Sequence, residues 1–597
     1  MKEASESVTM RYTEIPLPQA VVHYCEQYLI KHVVISAGSR NAPLTNGFVE
    51  NPFFNTYSII DERAAAFFAL GIAQQLNHPV ALVCTSGSAL LNFYPAVAEA
   101  YYSEIPIIIL SADRMPHRID IGDGQTIKQE GVFGPHLTAV AALKPDVSHA
   151  TTTLLQSNKQ LYFKGNPSAA EVEILQEKHQ KHNVAELQRV FALACFGKGP
   201  VHINIPMEEP LYGMTSMPIP FPDAPALILP SYDTDIEDLK VAWKKAKRKM
   251  ILMGVCSPNT DLKKTLNKLI EDSGVLVLSE KTSNYSHPNA INSIDCLMSP
   301  LEIDQNGLEQ ELKPELLITI GGMVVSKKIK SFLRTFKADH HFHVDTTKAN
   351  DTFYYLSKHV DAPAVDSLMA LEEVKTVKSD YQNVILTSYR NYLNNGKGYL
   401  AKMPFSDLRV FEIICSSLPK KTHLQVANSS PIRYLQLFDL QEGVEVYCNR
   451  GTAGIDGSTA TAMGAAQINS KQSVLITGDL SFFYDINGLW HNYIPNNMRI
   501  IVINNQGGGI FRILPGEKDS PKYDTYFETI HQRNAKDIAA NFGLRYKRVR
   551  TLWGLKLALH SFFNTSKTAK ILEISTPRKV NDSVLLSYFK AMILQKK

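Results

Sequence analysis

The sequence has few features that would connect it to a membrane, to nucleic acid or to an oxidising compartment. No apolar run approaches the roughly 20 residues of a transmembrane helix, and the first six residues lack the apolar core of a signal peptide. The net charge of +4 is too small to indicate a nucleic-acid or membrane-surface partner. The seven cysteines are scattered without a CxxC pair, which argues against zinc and for a reducing compartment. These features predict a soluble cytoplasmic protein.

The 597 residues have an ordinary globular composition, with 44% hydrophobic and 20% charged residues. A chain of this length is too long for one hydrophobic core. Short β-branched runs alternate with helical patterns throughout, which predicts an α/β protein with parallel sheets and crossover helices. A Pro-rich stretch at residues 217–230 is typical of a linker.

The first and last thirds of the sequence share a pattern. In the first third, a small-residue helix (64–73) precedes a strand and the loop Thr85-Ser86-Gly87-Ser88. In the last third, a similar helix (458–466) precedes a strand and the loop Gly478-Asp479-Leu480-Ser481. The pattern predicts two copies of one α/β unit, although convergent α/β architecture alone would also produce some similarity.

Polar residues follow two of the predicted strands in the last third. Asp479 comes after the apolar run 473–477, and Asn504-Asn505 come after the run 499–503. Ligands of open α/β sheets bind at the carboxyl ends of strands, and Mg²⁺ prefers oxygen ligands that it shares with phosphates. The pattern therefore predicts a site for a hard cation. The alternative is a strand–loop–helix in which Asp and Asn are ordinary loop residues.

The stretch 478–505 resembles the thiamine diphosphate (ThDP) enzyme motif, which runs from Gly-Asp-Gly to Asn-Asn. Leu480 replaces the second Gly of the motif, and the 23 residues between Leu480 and Asn504 make it slightly short. Further stretches resemble one branch of this class, the 2-succinyl-5-enolpyruvyl-6-hydroxy-3-cyclohexene-1-carboxylate (SEPHCHC) synthase, or MenD, family of menaquinone biosynthesis. They are residues 36–44, 85–89, 111–114, 124–127 and 449–457.

The resemblance implies three doubly wound parallel-sheet domains. They are a pyrimidine-binding domain (1–216), a central domain (217–375) and a diphosphate-binding domain (376–597). It also implies a transferase that decarboxylates 2-oxoglutarate and adds the succinyl unit to isochorismate. The implied cofactors are ThDP and Mg²⁺, with Mn²⁺ as the alternative metal. We expect a homodimer or homotetramer with no nucleic-acid partner and no membrane insertion.

Glu62 matches the family's acid that hydrogen-bonds the aminopyrimidine ring of the cofactor. The alternative is an acidic residue in a first helical turn, which the helix dipole favours. Gln125 and Ser429 match the family's polar catalytic residues. By the same matching, the cofactor-binding residues are Glu62, Gly454, Ile455, Asp479, Leu480, Ser481, Asn505, Gly508, Ile510 and Phe511, and the metal ligands are Asp479, Asn505 and Gly507.

Both family substrates are dicarboxylates, and arginine binds a carboxylate through a planar fork. For any single arginine the alternative is a solvated surface charge. Lys328 and Lys330 lie close to Lys327 in the sequence, and either could replace it. The residues that match the family's substrate-binding positions are Ser39, Arg40, Arg114, Lys327, Arg433 and Arg450.

Two other functions compete with this interpretation. The first alternative is another ThDP enzyme, such as an acetohydroxyacid synthase or a 2-oxoacid decarboxylase. The former normally binds FAD in its central domain, where this sequence has no G-x-G-x-x-G and only Gly321-Gly322. A simple decarboxylase would not need so many arginines. The other is a non-catalytic binding protein with a ThDP-enzyme fold, against which the presence of Glu62, Asp479 and Asn505 argues.

Overall fold

The structure is a computed structural model that describes residues 10–227, 232, 236–304, 306–513 and 520–593. The first six residues and the end of the predicted linker lie outside the described residues. The described part forms three parallel β-sheets flanked by helices and one short antiparallel strand pair. Among the described helices, none combines the length and the apolar character needed to cross a membrane.

The first third of the chain forms a six-stranded sheet and the antiparallel pair. Its strands are β1 (Tyr12–Thr13), β2 (His32–Ile35), β3 (Asn55–Ser58), β4 (Val80–Cys84), β5 (Ile107–Asp113), β6 (Ala139–Ala142), β7 (Val201–Pro206) and β8 (Met214–Thr215). The sheet order is β3-β2-β4-β5-β7-β6, and β1 pairs with β8. The helices are α1 (Pro16–Gln27), α2 (Ala42–Glu50), α3 (Glu62–Leu76), α4 (Ser88–Asn92), α5 (Tyr94–Ser103), α6 (Thr151–Tyr162) and α7 (Ala169–Phe196).

The middle of the chain forms a five-stranded parallel sheet whose central strands are continuous apolar runs, as expected for strands buried on both faces. Its strands are β9 (Lys249–Met253), β10 (Val275–Ser279), β11 (Leu316–Ile320), β12 (His340–Val344) and β13 (Lys358–Val360). The sheet order is β10-β9-β11-β12-β13. The helices are α8 (Glu237–Lys245), α9 (Thr260–Leu269), α10 (Ile294–Asp304), α11 (Leu308–Leu312), α12 (Lys327–Thr335) and α13 (Ala364–Met369).

The last part of the chain forms a second six-stranded parallel sheet. Its strands are β14 (His423–Val426), β15 (Glu445–Tyr447), β16 (Ser473–Gly478), β17 (Met498–Asn504), β18 (Arg545–Val549) and β19 (Lys570–Ser575), in the order β15-β14-β16-β17-β19-β18. The helices are α14 (Tyr381–Lys402), α15 (Asp407–Ser417), α16 (Ser430–Leu435), α17 (Ser458–Ile468), α18 (Asp479–Tyr484), α19 (Ile510–Ile513), α20 (Pro521–Tyr526), α21 (Lys536–Asn541), α22 (Leu552–Phe562) and α23 (Asn581–Ile593).

The two six-stranded sheets have the same topology. In each sheet the strands, numbered along the chain, lie side by side in the order second, first, third, fourth, sixth, fifth. The expectation of two similar α/β blocks, which came from the sequence pattern, is therefore confirmed. In both sheets the strand order reverses between the first and third strands, which is where open α/β sheets bind ligands.

The chain folds into two compact units, and the first unit takes in two segments from far along the sequence, Thr459–Ser470 and Asp485–Pro495. Within this unit, α3 crosses α17 at a pair of glycines. A Cβ on Gly71 would lie 2.1 Å from the carbonyl oxygen of Thr461, and a Cβ on Gly464 would lie 1.9 Å from that of Phe68. Only glycine permits so close an approach of two helix backbones.

Candidate active site

A cavity of about 170 Å³ opens at the carboxyl edge of the last sheet, where β14 and β16 end. Its lining comes from the segments that follow β14, β15, β16 and β17, together with Asp407 and Phe411 on α15. The location agrees with the rule for open α/β sheets. Of the residues predicted from the sequence, those that line the cavity are Ser429, Ile455, Asp479, Leu480, Ser481, Asn505, Gly507, Gly508, Ile510 and Phe511.

Asp479 follows β16 directly and is 2% exposed. Its Oδ1 accepts a hydrogen bond of 2.7 Å from the backbone N–H of Leu480, and its Oδ2 accepts one of 3.0 Å from that of Gly507. His531 Nε2 lies 3.3 Å from the same Oδ2. These contacts fix the carboxylate at the cavity and join the segments that follow the neighbouring strands β16 and β17.

Asn505 follows β17, which pairs with β16 in parallel. Its Nδ2 donates a 2.9 Å hydrogen bond to Asp407 Oδ2. Its Oδ1 is buried and has no hydrogen-bond partner among the described residues. Leaving a buried acceptor unpaired costs about 1–3 kcal/mol, so this oxygen is a strong indication of a ligand. An amide oxygen and a carboxylate on one cavity fit Mg²⁺, which takes oxygen ligands.

The segment 507–509 requires glycine because its backbone lies very close to its neighbours. Gly507 has φ +151°, and a Cβ there would lie 2.5 Å from the carbonyl oxygen of Glu528. The N–H of Gly508 donates to the same oxygen at 2.6 Å. A Cβ on Gly509 would lie 2.8 Å from Asn505 Nδ2. The three glycines thus bring bare backbone to the cavity, as a phosphate-binding loop does.

A buried ion network holds the chain that follows this glycine segment. Arg512 Nε donates to Glu528 Oε1 at 2.8 Å, and Arg578 donates to the other carboxylate oxygen at 2.8 Å. Both arginines also contact Asp524. Because Glu528 is fully buried, its charge needs these cations, and removing one of them would be strongly destabilising. The network fixes the segment that carries Ile510 and Phe511.

Ser429 and Ile455 reach the cavity from the segments that follow β14 and β15. Ser429 has φ +71°, an unfavourable conformation for a non-glycine residue that is commonly found at functional sites. The carbonyl of Ile455 accepts a 2.6 Å hydrogen bond from Ser481 Oγ, while its side chain remains 36% exposed. Gly454 does not line the cavity, but its carbonyl accepts a 2.8 Å hydrogen bond from Asn428 Nδ2.

Glu62 is the first residue of α3, just beyond β3 at the carboxyl edge of the first sheet. Asp61 caps this helix by accepting a 3.1 Å hydrogen bond from the N–H of Ala64, and it also accepts one of 2.7 Å from Asn487 Nδ2. Burial, with a contribution from the Glu62 charge, raises the pKa of the Cys84 thiol. The Glu62 carboxylate therefore lies near the end of β4.

Two buried or half-buried arginines lie at the same edge of the first sheet. Arg40 donates to the carbonyl of Met207 at 3.1 Å and to Glu209 at 2.6 Å. Arg114 donates to Ser86 Oγ at 2.5 Å and to the carbonyl of Gln125 at 2.9 Å.

The two arginines are close enough to affect one another. Burial lowers the pKa of Arg114, and the charge of Arg40 lowers it further. Like charges held together in a partly buried site favour an anion between them. Ser39, which is exposed, and Gln125, which has φ +58°, lie in the loops that carry these arginines.

A second basic cluster lies in the other compact unit. Burial lowers the pKa of Arg433, and Arg450 lowers it further while Asp295 opposes the shift. Burial also lowers the pKa of Lys330, with further contributions from Arg450 and Lys327. Arg433, Arg450, Lys330 and Lys327 therefore form one cationic cluster.

Lys327 and Lys328, which the sequence could not separate, have different surroundings. Lys328 forms an ion pair with Glu302, whereas Lys327 is exposed at the first turn of α12. Since a paired charge is less available to a ligand, this difference favours Lys327 over Lys328 as a cation that could bind an anion.

Glu280 is a polar residue of this region that the sequence reasoning missed. Its carboxylate accepts hydrogen bonds of 2.7 Å from the backbone N–H groups of Val325 and Ser326 and so holds the start of α12. Burial raises the pKa of Glu280 to about 7, although these hydrogen bonds act against the shift. Glu280 follows β10 directly, so the strand-end rule that found Asp479 could have found it.

Gln129 and Asp407 were also missed. Gln129 is buried, accepts a 2.9 Å hydrogen bond from the N–H of Gly87 and donates one of 2.7 Å to Asn204. Asp407 lines the cavity and binds Asn505. Neither follows a strand, and an Asp after the helix-capping Ser406 has the ordinary appearance of a helix start. The sequence therefore contained no signal for them.

Comparison with known proteins agrees with this geometry. Residues 17–132 match the thiamine pyrophosphate enzyme N-terminal TPP binding domain, and residues 430–573 match the corresponding C-terminal TPP binding domain. The fold, the cavity and these two matches define the class of thiamine pyrophosphate enzymes.

The relatives specify a family within this class. Proteins named 2-succinyl-5-enolpyruvyl-6-hydroxy-3-cyclohexene-1-carboxylate synthase from Flavobacterium psychrophilum and Flavobacterium johnsoniae are 46% and 47% identical to this chain. The alignments cover 97% and 98% of this chain and all of the relatives. The protein of the same name from Porphyromonas gingivalis is 36% identical over 94% of each chain. The chain belongs to the SEPHCHC synthase family.

Proposed function

We propose that this protein catalyses the decarboxylation of 2-oxoglutarate and the addition of the resulting succinyl unit to isochorismate, with release of SEPHCHC and CO₂. The observation that supports the proposal most directly is that Asp479 and Asn505 line one cavity in a chain of this family. The Asn505 Oδ1 atom has no hydrogen-bond partner among the described residues. The two basic clusters support it further, because both substrates are dicarboxylates.

The cation would be Mg²⁺ or Mn²⁺, held by the side chains of Asp479 and Asn505 and by the carbonyl of Gly507. Gly454, Leu480, Ser481 and Gly508 would hold ThDP at the same edge of the sheet. Bound ThDP would supply a nucleophilic carbon, C2, and a thiazolium ring that takes up the electron pair left by CO₂. Ile455, Ile510 and Phe511 contribute apolar side chains to the lining and would keep water from the reacting carbon.

Glu62 would hold the proton that activates the cofactor, at the aminopyrimidine ring. The helix cap formed by Asp61 fixes the backbone that carries Glu62. Gln125 and Ser429 would donate or accept hydrogen bonds at the reacting groups of the substrates. A positioned acid or base of this kind contributes about 10²–10⁴-fold to a rate.

The basic residues would bind the substrate carboxylates. Ser39, Arg40 and Arg114 would act in the first cluster, and Lys327, Arg433 and Arg450 in the second. In the first cluster, the partial compensation of Arg40 by the exposed Glu209 leaves charge for an anionic ligand. Arginine forks add direction as well as charge to such binding.

The domain organisation that goes with this function is a pyrimidine-binding domain at 1–216, a central domain at 217–375 and a diphosphate-binding domain at 376–597. The active form would be a homodimer or homotetramer in which two chains contribute to one cofactor site. Glu62→Gln and Asp479→Ala, each inactive alone, should then regain part of the activity in mixed oligomers. An active monomer by light scattering, or proven mixed oligomers without rescue, would contradict this.

The experiment that tests the reaction is CO₂ release from 2-oxoglutarate, measured with ThDP and Mg²⁺ in the presence and absence of isochorismate. Isochorismate should increase the release, and mass spectrometry should find SEPHCHC in proportion to CO₂. Consumption of pyruvate in place of 2-oxoglutarate would indicate an acetohydroxyacid synthase. A protein that binds neither ThDP nor a divalent cation would be a non-catalytic member of the class.

A further inference from the structure

The side chain of Asn505 has only one orientation that its surroundings permit. An amide group has a donor end and an acceptor end of nearly the same shape. The donor end, Nδ2, lies 2.9 Å from Asp407 Oδ2, and a carboxylate can only accept. The acceptor end, Oδ1, is therefore directed away from Asp407 and is the atom that lacks a hydrogen-bond partner among the described residues.

Asp407 is itself held rigidly. It is 1% exposed, and its Oδ1 accepts a 2.5 Å hydrogen bond from Thr576 Oγ1. Its backbone N–H donates a 2.9 Å hydrogen bond to Asn581 Oδ1, and Asn581 in turn donates to the carbonyl of Pro577 at 3.0 Å. The carboxylate cannot rotate without giving up hydrogen bonds in a buried place.

The identity of the atom that faces a cation decides whether the cation binds. An amide oxygen carries partial negative charge and ligates Mg²⁺, whereas an amide NH₂ group repels it. If Asp407 were absent, Asn505 could rotate by half a turn and present Nδ2 instead, with little change in shape. A partner that orients a metal ligand from behind is typical of metal sites.

We propose that Asp407 is a positioning residue that orients the Asn505 side chain so that Oδ1, and not Nδ2, is available to a divalent cation. The inference rests on the cation site of the proposed function and goes beyond it by assigning the residue that makes Asn505 a ligand. Asp407 touches neither the proposed substrates nor the reacting atoms in this role; it acts through Asn505.

The first experiment measures binding of Mn²⁺, in place of Mg²⁺, to the full-length protein with ThDP, by electron paramagnetic resonance. Asp407→Leu should weaken Mn²⁺ binding by about 10–100-fold, the usual effect of losing such a partner. Asp407→Asn should bind nearly as well as the unaltered protein, because its Oδ1 can accept from Asn505 while its Nδ2 donates to Thr576 Oγ1.

A matched control and a rescue separate orientation from other roles. Thr576→Val removes a hydrogen bond from Asp407 but leaves the contact with Asn505, so it should change Mn²⁺ binding much less than Asp407→Leu. Asn505→Asp presents oxygen at both ends and needs no orientation, so Asp407→Leu combined with Asn505→Asp should bind Mn²⁺ better than Asp407→Leu alone. Asn505→Asp alone should bind less well than the double variant, because two carboxylates then face each other.

The outcomes distinguish this inference from the proposed cation site. If Asp479→Ala abolishes Mn²⁺ binding but Asp407→Leu does not weaken it, the orientation role is wrong and the site stands. If Asp407→Asn binds as poorly as Asp407→Leu, Asp407 acts through its charge and the inference fails. If Asp479→Ala retains full Mn²⁺ affinity, the cation site itself is wrong. Thermal melting of each variant identifies any that fail to fold, in which case the double variant decides.

Discussion

The first and last sheets have the same strand order and very different chemistry at their carboxyl edges. After the third strand along the chain, the first sheet has Ser86 and the last sheet has Asp479. After the fourth strand, the first sheet has Arg114 and the last sheet has Asn505. At these two positions the first sheet therefore presents a hydroxyl group and a cation, whereas the last sheet presents two oxygen ligands.

In these two sheets the same strand order carries different functional side chains. In each sheet the backbone places the residues that follow the third and fourth strands beside one another. The side chains then decide which partner can bind, since paired arginines favour a carboxylate and paired oxygens favour a hard cation. Substitutions at equivalent positions in the two sheets should consequently have different, and predictable, effects.

The largest expected effect is on cofactor binding, and it comes from substituting the residues that follow the third strand of each sheet. Asp479→Ala should abolish retention of ThDP with Mg²⁺, because the cation that this carboxylate is proposed to hold for the diphosphate would be lost. Ser86→Ala, the equivalent change in the first sheet, should leave cofactor binding intact and weaken only the position of Arg114. Titration calorimetry with ThDP and Mg²⁺ checks both. Equal cofactor binding by the two variants would contradict the proposed role of Asp479 in holding the cofactor.

The second largest expected effect is on activation of the cofactor, and it comes from substituting Glu62 at the edge of the first sheet. Glu62→Gln keeps the shape of the side chain but cannot share the proton, so exchange of the ThDP C2 proton should fall by about 10²–10⁴-fold while ThDP still binds. Proton exchange followed by NMR measures this. Asp61→Ala is the matched control, since it removes the adjacent helix cap at a cost of about 1 kcal/mol of stability. Its exchange rate should fall far less, and normal exchange in Glu62→Gln would refute the role of this residue.

Substitution of the arginines should weaken substrate binding and leave the affinity for ThDP nearly unchanged. Arg40→Ala and Arg433→Ala would each remove a proposed charged partner of a substrate carboxylate. Such a loss typically costs about 2–5 kcal/mol in transition-state binding and lowers kcat/KM accordingly. ThDP affinity should hardly change. Arg11→Ala, which breaks an exposed ion pair with Glu50, is the control and should be nearly neutral. Normal kinetics with both substrates in both site variants would contradict the dicarboxylate assignment.

The smallest expected effect is on the pH dependence of the free energy of unfolding. His423 is buried at the start of β14, and burial lowers its pKa to about 4. Below pH 6.5 the unfolded chain binds a proton that the folded chain refuses, so stability falls as the pH drops from 6.5 towards 4, by up to about 1.4 kcal/mol per pH unit. His423→Phe should melt with a weaker pH dependence across this window.

His202 on β7 provides the equivalent group in the first sheet, because burial lowers its pKa to about 3. It differs in bonding to Ser111 Oγ at 2.7 Å, so replacing it also loses a hydrogen bond. If His423→Phe kept the full pH dependence, other groups would account for the acid sensitivity.

Much of this organisation could be predicted from the sequence because buried parallel strands are continuous apolar runs. The apolar runs 473–477 and 499–503 match β16 and β17, which carry the site, to within one residue at each end. β18 was missed because it is an edge strand with the sequence Arg-Tyr-Lys-Arg-Val, in which charged and half-exposed residues alternate. β6 was missed because Ala and Val in four residues do not distinguish a strand from a helix.

Candidate site residues could be found in the sequence when they follow a strand. They could not be found when they reach the cavity from a helix or a distant loop. Asp479 and Asn505 stand at strand ends, and Glu62 opens a helix beyond one. Asp407 reaches the cavity from the start of α15, 98 residues before Asn505, and only tertiary contact brings the two together. The same holds for His531 beside Asp479. Sequence spacing contains no information about such pairs.

The crossing of Gly71 and Gly464 has a consequence for the order in which the chain can mature on the ribosome. The first compact unit needs the segments Thr459–Ser470 and Asp485–Pro495, which emerge long after the rest of that unit has been made. At about 5–20 residues per second the wait is on the order of tens of seconds. During that time the small-residue face of α3 stays without its partner helix. A nascent chain truncated before residue 459 should therefore be the form of this protein that depends most on chaperones.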